Sequence, residues 1–527
     1  MRMTNKIMQN NSLYNINNNK LLQDKLSTQM STQKKITRPS DDPVIAIRAL
    51  RLRTSVSELN QFYGKNAPDA ESWLQVTEKA LGTATDVLTD LSKQANKGAN
   101  KDLGTEDLQI IAEQMKALRN EFYSTGNVDY AGRYVFTGYR TDTTMSFTEE
   151  VEEMEDGYPN YRITEQVTID SFDSINYTDI GDLAGLNRNN YEDTKFDAVV
   201  EQQVENNDIH RMRLAYDELK LPADAQSADS LSIQIMNADG TENYSITAEP
   251  VSVASDPYAQ ITANPDKVYF VPETGEVLFG DNVYSTLEAN VKNINGTDTE
   301  IRFTYTKDQW RDGDLRPEHY FACEGTTKLK DGSTPTIKYN QEYLDGEKEK
   351  QVIEYDVGYN QKIQVNTTAD EVFSHNLDRD IDDIEKVLEE LAEVDATRKD
   401  MEELLGTMEK GTAEYDDVKR KYDAAEKAYS YIRENVHNIF ERTITDAQNY
   451  LNDTNIAVTD NGTRSQRLDL ISNRLMDQRT TFETLQSNNE DADISEVAVK
   501  LTSTELTYEA ALMATGKIMQ TSLMNYI

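Results

Sequence analysis

The sequence predicts an α+β fold: long N- and C-terminal helices form a coiled-coil-like rod, and a β-rich domain is inserted between them. Three observations carry this expectation. Apolar residues recur at steps of three and four along both flanks, polarity alternates between closely spaced turn signals in the middle, and both ends finish in helical segments. The 527 residues accordingly divide into an N-terminal assembly segment (1–44), a helical rod with a short β-hairpin (45–145), an inserted β-rich domain (146–375), a charged helical addition (376–430), a second stretch of rod (431–493) and a C-terminal assembly helix (494–527).

In the first segment Tyr14, Leu21, Leu22 and Leu26 make a stripe too sparse to hold a helix alone, since an isolated helix without packing is marginal. It needs a partner, and the C-terminal apolar helix is the natural one. Residues 1–53 hold ten basic side chains against three acidic ones, a surplus of seven in an otherwise acidic chain. That surplus reads as an interface whose charge complements acidic neighbours rather than as a polyanion-binding arm.

A helix start is written at Pro39-Ser-Asp-Asp-Pro43: Ser40, Asp41 or Asp42 caps, the two acids favour the positive helix end, and Pro43 suits the first turn. From Ile45 one apolar stripe runs through Ala49, Leu52, Val56, Leu59 and Tyr63 and on through Ala70, Trp73, Thr77, Leu81, Ala84, Leu88 and Leu91. Straight, it would span roughly 70 Å, longer than a compact domain is wide. Pro68 inside the run predicts a kink or a break. Leu108, Ile111, Met115, Leu118 and Phe122 make the return helix of a hairpin, and Gly132-Arg-Tyr-Val-Phe-Thr-Gly-Tyr139 reads as a short strand between glycines.

From 146 to 375 strands and turns are expected, as in Leu231-Ser-Ile-Gln-Ile, with turns at Asp239-Gly, Asp281-Asn, Asn295-Gly, Asp312-Gly and Asp331-Gly and one helix across Phe196 to Leu219. Helical periodicity returns near Leu377. Residues 378–427 put Ile381, Ile384, Leu388 and Leu391 on one side of a heavily charged segment, the pattern of a solvated helical pair or coiled coil. Leu468, Ile471, Leu475, Gln478, Phe482 and Leu485 continue the periodicity, followed by Ile494, Val497, Leu501, Thr504, Tyr508, Ala511 and Ile518. Leu501, Tyr508, Leu512, Ile518, Met519 and Leu523 are expected to supply most of the apolar burial when the ends pack, at about 25 cal/mol per Å².

Composition excludes several functions. With 54 basic and 94 acidic side chains the formal net charge is −40, which repels phosphate backbones, so no nucleic-acid partner is expected. No apolar run approaches the roughly 20 residues of a membrane span, and the N-terminus lacks the apolar core of a cleaved signal peptide. The single cysteine, Cys323, permits no internal disulfide, and the four histidines form no zinc-binding pair; His319 and Cys323 alone are two ligands, fewer than a metal site needs. No phosphate loop or nucleophile elbow is present, and paired carboxylates in so acidic a chain read as a solvated face. The expectation is a protein without catalytic residues, cofactor or metal. The aromatics at 134–139 beside Arg133 and Arg140 read as hairpin packing rather than base stacking.

Three stretches resemble one family. They are Gln29-Met-Ser-Thr-Gln-Lys-Lys-Ile-Thr-Arg-Pro-Ser-Asp-Asp-Pro-Val44; Gly132-Arg-Tyr-Val-Phe-Thr-Gly-Tyr139 with Thr141-Asp-Thr; and Glu509-Ala-Ala-Leu-Met-Ala-Thr-Gly-Lys-Ile-Met-Gln-Thr-Ser-Leu-Met-Asn-Tyr-Ile527. Together they resemble the flagellar hook-associated protein 3 family of the flagellin superfamily, over roughly 1–145 and 430–527. The motif positions are Pro39, Ser40, Asp41, Asp42 and Pro43, then Gly132, Arg133, Tyr134, Phe136, Gly138 and Tyr139. The resemblance implies an extracellular structural adaptor at the hook–filament junction of the bacterial flagellum, exported without a cleaved signal peptide. Its implied partners are hook-associated protein 1, flagellin, further copies of itself in a ring, and a flagellar export chaperone. Two departures stand out: Gln33 occupies a position that is usually Gly, which predicts a less sharply bent connection, and Pro68 interrupts a usually continuous helix. A flagellin-like filament subunit is the nearest alternative. An adhesin or carbohydrate-binding insert displaying Trp310, Tyr320 and Tyr359 is a more distant one.

Overall fold

The computed structural model describes residues 5–149, 159–221, 231–237, 240–292, 299–327, 332–345 and 351–520. Two compact units emerge: Met1–Glu71 with Tyr355–Ile363 and Gln466–Ile527, and Ser72–Glu354 with Gln364–Ser465. Helices α3 (Ala67–Gly98) and α8 (Ala413–Glu490) contribute residues to both. No described helix is long and apolar enough to cross a membrane.

The terminal unit contains α1 (Asn5–Thr32), α2 (Pro43–Gln61) and α9 (Ile494–Gln520), with parts of α3 (Ala67–Gly98) and α8 (Ala413–Glu490). α1 packs on α9, the pairing the sequence predicts. Both are helical within the single chain.

Asp42 caps α2, its carboxylate accepting the N–H groups of Val44 (2.9 Å) and Ile45 (3.1 Å), with Pro43 in the first turn. Pro68 does not split the long helix. A π-helical turn, Phe62–Asn66, joins α2 to α3 directly upstream of it. Pro68 has no N–H to donate and its ring would press on a carbonyl one turn back; the wider turn removes both conflicts while the helix continues. Beyond it Trp73, Thr77, Leu81, Ala84, Leu88 and Leu91 are all fully buried, as their spacing predicts.

A hairpin the sequence reading missed, β14 (Glu354–Gly358) and β15 (Gln361–Gln364), supplies residues 355–363 to this unit. Tyr359 meets Phe62 edge-on at 5.6 Å and bonds Glu58, and Asp356 accepts from Asn66 at 2.7 Å.

The second unit is built on two sheets. The strands are β3 (Pro159–Val167), β4 (Asp173–Asp179), β5 (Glu205–Arg213), β6 (Leu231–Met236), β7 (Glu242–Ile246), β8 (Glu249–Pro250), β9 (Val268–Val271), β10 (Glu276–Phe279), β11 (Ile301–Lys307), β12 (Ala322–Thr327) and β13 (Thr336–Tyr339). A six-stranded antiparallel sheet runs β13-β12-β3-β11-β6-β7; a five-stranded sheet runs β4-β5-β10-β9-β8, with only β8 and β9 parallel. In β11 every second residue is buried, the period-2 signature of a sheet with one face inside. β9 and β10 are buried throughout. Phe270, Val277 and Phe279 join Ile163, Ile233 and Phe303 in the main core, while Tyr269, Val271 and Leu278 point the other way into a second cluster with Tyr258 and Ile261 of α5 (Pro257–Ala263).

The helix expected across 196–219 is absent. β5 occupies its centre, paired with β4 and β10, because Ile209 packs to one face of the sheet while Arg211 and Arg213 reach fixed carboxylates, a requirement that overrides local periodicity. Asp281-Asn opens α6 (Asp281–Lys292) rather than a turn, while Gly313 does turn, at φ +97°. The signals at Asp239, Asn295 and Asp331 lie outside the described residues.

α4 (Thr105–Thr125) and α7 (Asn376–Thr407) pack on each other in this unit. The charged 378–427 segment is not a solvated pair: α7 buries Ile381, Ile384, Leu388 and Leu391, and with them Arg379, Asp380, Asp383 and Asp395.

Candidate functional site

Two places gather the residues the sequence singles out. In the terminal unit the 33–43 connection meets the α8–α9 connection through a polar clasp. Gln33 takes a left-handed backbone (φ +59°) and its carbonyl accepts the Ala492 N–H at 2.9 Å; the Lys35 N–H donates to the Glu490 carbonyl at 2.7 Å. The connection is therefore bent as sharply as glycine would allow, correcting the expectation of a gentler turn. Glu490, its side chain nearly buried, takes a two-pronged contact from Arg53 (2.8 and 2.5 Å), and Lys34 bridges to Asp491 (2.5 Å) and Glu490 (3.6 Å). Burial works against the Glu490 charge, but Arg53 and Lys34 outweigh it and hold the carboxyl below its ordinary range. Within the Pro39–Pro43 motif, Pro39 and Ser40 form the exposed turn, and the Asp41 carboxylate accepts the N–H groups of Arg38 (2.9 Å) and Thr37 (3.1 Å), which lowers its pKa.

The α1–α9 seam opposes Ser12, Ile16, Asn19, Gln23 and Leu26 to Val497, Leu501, Thr504, Tyr508, Ala511 and Thr515. Gln23 donates to Glu505 across it at 3.4 Å. Of the residues expected to assemble, Leu26, Leu501 and Tyr508 lie in this seam, whereas Tyr14, Leu21, Leu22 and Leu512 point outward and are exposed. Ile518 and Met519 belong to α9 without described side chains, and Leu523 lies outside the described residues. Ile7 extends Tyr14 and Leu21 into an outward row on α1, and Val499, Leu506 and Met513 make a second on α9, all exposed; Ile7 and the α9 row were missed. Their strict seven-residue spacing is the available signal.

The second motif folds as β1 (Asp129–Tyr130) and β2 (Arg133–Tyr134), turning through the left-handed pair Ala131 and Gly132. Arg133 stacks over Trp73 at 4.8 Å and Tyr130 at 5.7 Å, Phe136 is buried edge-on to Phe373 at 5.1 Å, and its carbonyl accepts from the Ala369 N–H at 2.8 Å. Gly138 (φ +59°) has no room for a Cβ, which would sit 2.2 Å from Gln351 Oε1, the atom that accepts the Tyr139 N–H at 2.9 Å. Tyr139 itself is exposed. Tyr134 and Phe136 are packed structure, as the sequence predicts, and Tyr139 is not.

Sequence reasoning missed a buried ion network in the sheet-containing unit, because its members lie up to 269 residues apart. Arg211, wholly buried, bonds Asp173 (3.0 Å), Glu276 (2.5 Å) and Asp383 (2.5 Å); Arg213 adds Asp380 (2.7 Å), and Arg442 adds Asp173 (2.9 Å) and Asp383 (2.8 Å). Burial opposes these charges, yet Lys386 and Arg211 bring Glu276 down to about 2, and the three arginines hold Asp383 lower still. Nearby Asp446 is pushed up to about 6 by burial and by Asp380.

Cys323 is buried and its thiol is pushed up by burial; His319 and His375 are buried and depressed by it. Among the described residues no group of three or more His, Cys, Asp or Glu side chains is placed to hold a metal ion. Trp310 and Tyr320, offered as sugar-binding aromatics, are buried, and Tyr359 is tied to Glu58.

The sequence profile of the bacterial flagellin N-terminal helical region matches residues 3–141, the stretch that holds the clasp's 33–43 arm, the long helix and the β1–β2 hairpin. This chain is similar to flagellar hook-associated protein 3 of Salmonella typhimurium, 29% identical over 27% of this chain and 45% of that protein. It is also similar to the Escherichia coli protein of the same name, 29% identical over 28% of this chain and 47% of that one. The chain thus spans about half the length of the curated relatives it matches. A solved structure, FlgL of Xanthomonas campestris, aligns with 12% identity and a TM-score of 0.30 over 83% of this chain and 99% of its own. The matches are to flagellar proteins and not to an enzyme family.

Proposed function

We propose that this chain is a structural adaptor of the bacterial flagellum, seated extracellularly at the hook–filament junction between hook-associated protein 1 and flagellin. The observation that carries the reading is the α1–α9 pair: a flagellin-type N-terminal region is joined by a clasp to a C-terminal helix, and both helices keep apolar rows turned outward. Rows this regular, unused within the chain, are what neighbouring subunits bury. In this reading Tyr14, Leu21, Leu22 and Leu512 contact neighbours, Leu26, Leu501 and Tyr508 hold the pair together, and Ile518, Met519 and Leu523 extend the contact. Copies associate in a ring, and an export chaperone covers the C-terminal helix before the chain leaves the cell.

Fractionation of a motile producing strain tests this. The adaptor reading expects a scarce signal confined to the filament base, and secreted but unpolymerised flagellin in a deletion strain. Abundant signal along the whole filament would instead make the chain a flagellin-like subunit. A Leu512→Asp/Leu523→Asp chain is expected to fold but fail to support filament attachment; filaments of normal number would overturn the terminal-interface assignment.

A further inference from the structure

The sheet-containing unit carries an open groove of about 760 Å³ between α4 and α7. Ile110, 56% exposed, stands in it beside Ala117 and Leu388, and Glu106, Glu113, Glu385 and Glu389 rim it. Its one cation, Lys116, is held by Glu385 at 2.9 Å. Among the described residues Glu106, Glu113 and Glu389 form no ion pair. An acidic rim around an apolar floor selects a helix with apolar residues a turn apart and cations beside them.

This chain carries such a helix. α2 turns Ala46, Ala49 and Leu59 inward and leaves Val44, Ile47 and Leu50 at 58%, 53% and 61% exposure. Arg48 and Arg51, one turn apart and exposed, lie on the same outward side, and no acidic residue occurs between Pro43 and Ser57. The outward row of α9 is a poor rival, since Val499, Leu506 and Met513 lie among Glu496, Glu505 and Glu509, which the rim would repel.

We propose that α2 of one copy docks in the α4–α7 groove of the next, with Arg48 and Arg51 against the Glu113 and Glu389 rim. The inference rests on the self-association proposed above and names its surfaces. Because groove and helix are different patches, the contact is heterologous and repeats head to tail, the requirement for a ring or a helical array.

The test uses the full chain. Ile47→Cys and Ile110→Cys are placed in separate chains, mixed and oxidised; the native Cys323, being buried, does not compete. A mixed disulfide dimer is expected, its yield falling as salt is raised. Adding Glu113→Lys and Glu389→Lys to the Ile110→Cys chain is expected to cut the yield at least tenfold. Adding Arg48→Glu and Arg51→Glu to the Ile47→Cys chain should do the same, and mixing the two reversed chains should restore it. Circular dichroism of each chain checks folding, and any variant that misfolds is replaced by its single-site version. No mixed dimer, a dimer formed instead with a Tyr14→Cys chain, or no recovery in the double reversal overturns the proposal. Purified chains report the contact wherever the protein sits in the flagellum, so this result and the fractionation result fail independently.

Discussion

Strands β9 and β10 bury every one of their side chains, whereas α1, more than three times as long as both together, buries only Leu26 among its described residues. The sheets bury apolar area on two faces and lock it with buried ion pairs. The terminal pair sets serine, asparagine, glutamine and threonine among the apolar residues of its seam and is anchored at one end by the clasp. Since apolar burial is the main favourable term in folding, local opening is expected to be far cheaper at the termini than in the sheets. On the assembly reading proposed above, a terminal pair that repacks against neighbours would gain from a shallow commitment within its own chain.

The strongest way to break this contrast is to attack the locked region. Arg211→Ala removes the cation shared by Asp173, Glu276 and Asp383 and leaves buried carboxylates uncompensated, at an expected cost of about 3–5 kcal/mol. Denaturant unfolding followed by Trp310, buried in the main core, measures it. The acid dependence has a definite sign. Glu276 folds with its pKa lowered to about 2 from 4.5, so the stability it contributes is present above the unfolded value and fades as pH falls from about 4.5 towards 2. Asp446 and Glu165, raised to about 6 and about 7, act oppositely, their contribution fading as pH rises through those values. A wild-type profile without an acid limb in that window, or an Arg211→Ala chain as stable as wild type, would remove the network from the account.

The clasp is the intermediate case. Glu490→Gln is expected to cost about 1–2 kcal/mol, toward the lower end because Arg53 and Lys34 are half in solvent. Amide hydrogen exchange should show α1 and α9 opening faster while β9 and β10 are unchanged. A smaller effect of opposite sign is expected from Gln33→Gly, which relieves a left-handed non-glycine backbone and should stabilise the connection by about 1 kcal/mol. Loss of stability there would mean that the Gln33 side chain earns more than its backbone strain costs.

How much the sequence discloses follows the same division. The stripe from Trp73 to Leu91, the Asp42 cap and the alternation of Leu231 to Ile235 were legible because each depends on residues within a turn or two of one another. β5 was misread as helix because its conformation depends on Asp383 and Glu276, 172 and 65 residues away. The hairpin of β14 and β15 was invisible for the same reason, Tyr359 meeting a glutamate 301 residues distant. Pro68 misled differently: its local effect is real, but the π-helical turn absorbs it. At the termini the stripes were legible, but which residues face inward and which face outward was not, because that depends on how α1 and α9 pair. Leu512 lies one position from the inward-facing Ala511 and is exposed.

That distinction sets the smallest expected effect on the single chain and the sharpest separation of the two regions. Leu506 is 64% exposed on the outward face of α9, so Leu506→Ser should change the stability of the isolated chain by no more than about 0.5 kcal/mol. Leu501→Ser, five residues earlier in the α1–α9 seam, should speed exchange throughout α1. If the outward row exists for neighbours, Leu506→Ser abolishes filament attachment although its fold is intact, a separation that no stability argument produces. Equal damage to folding from both changes would mean that α9 packs on its own chain through both faces, and the contrast between a locked sheet region and an open terminal pair would collapse.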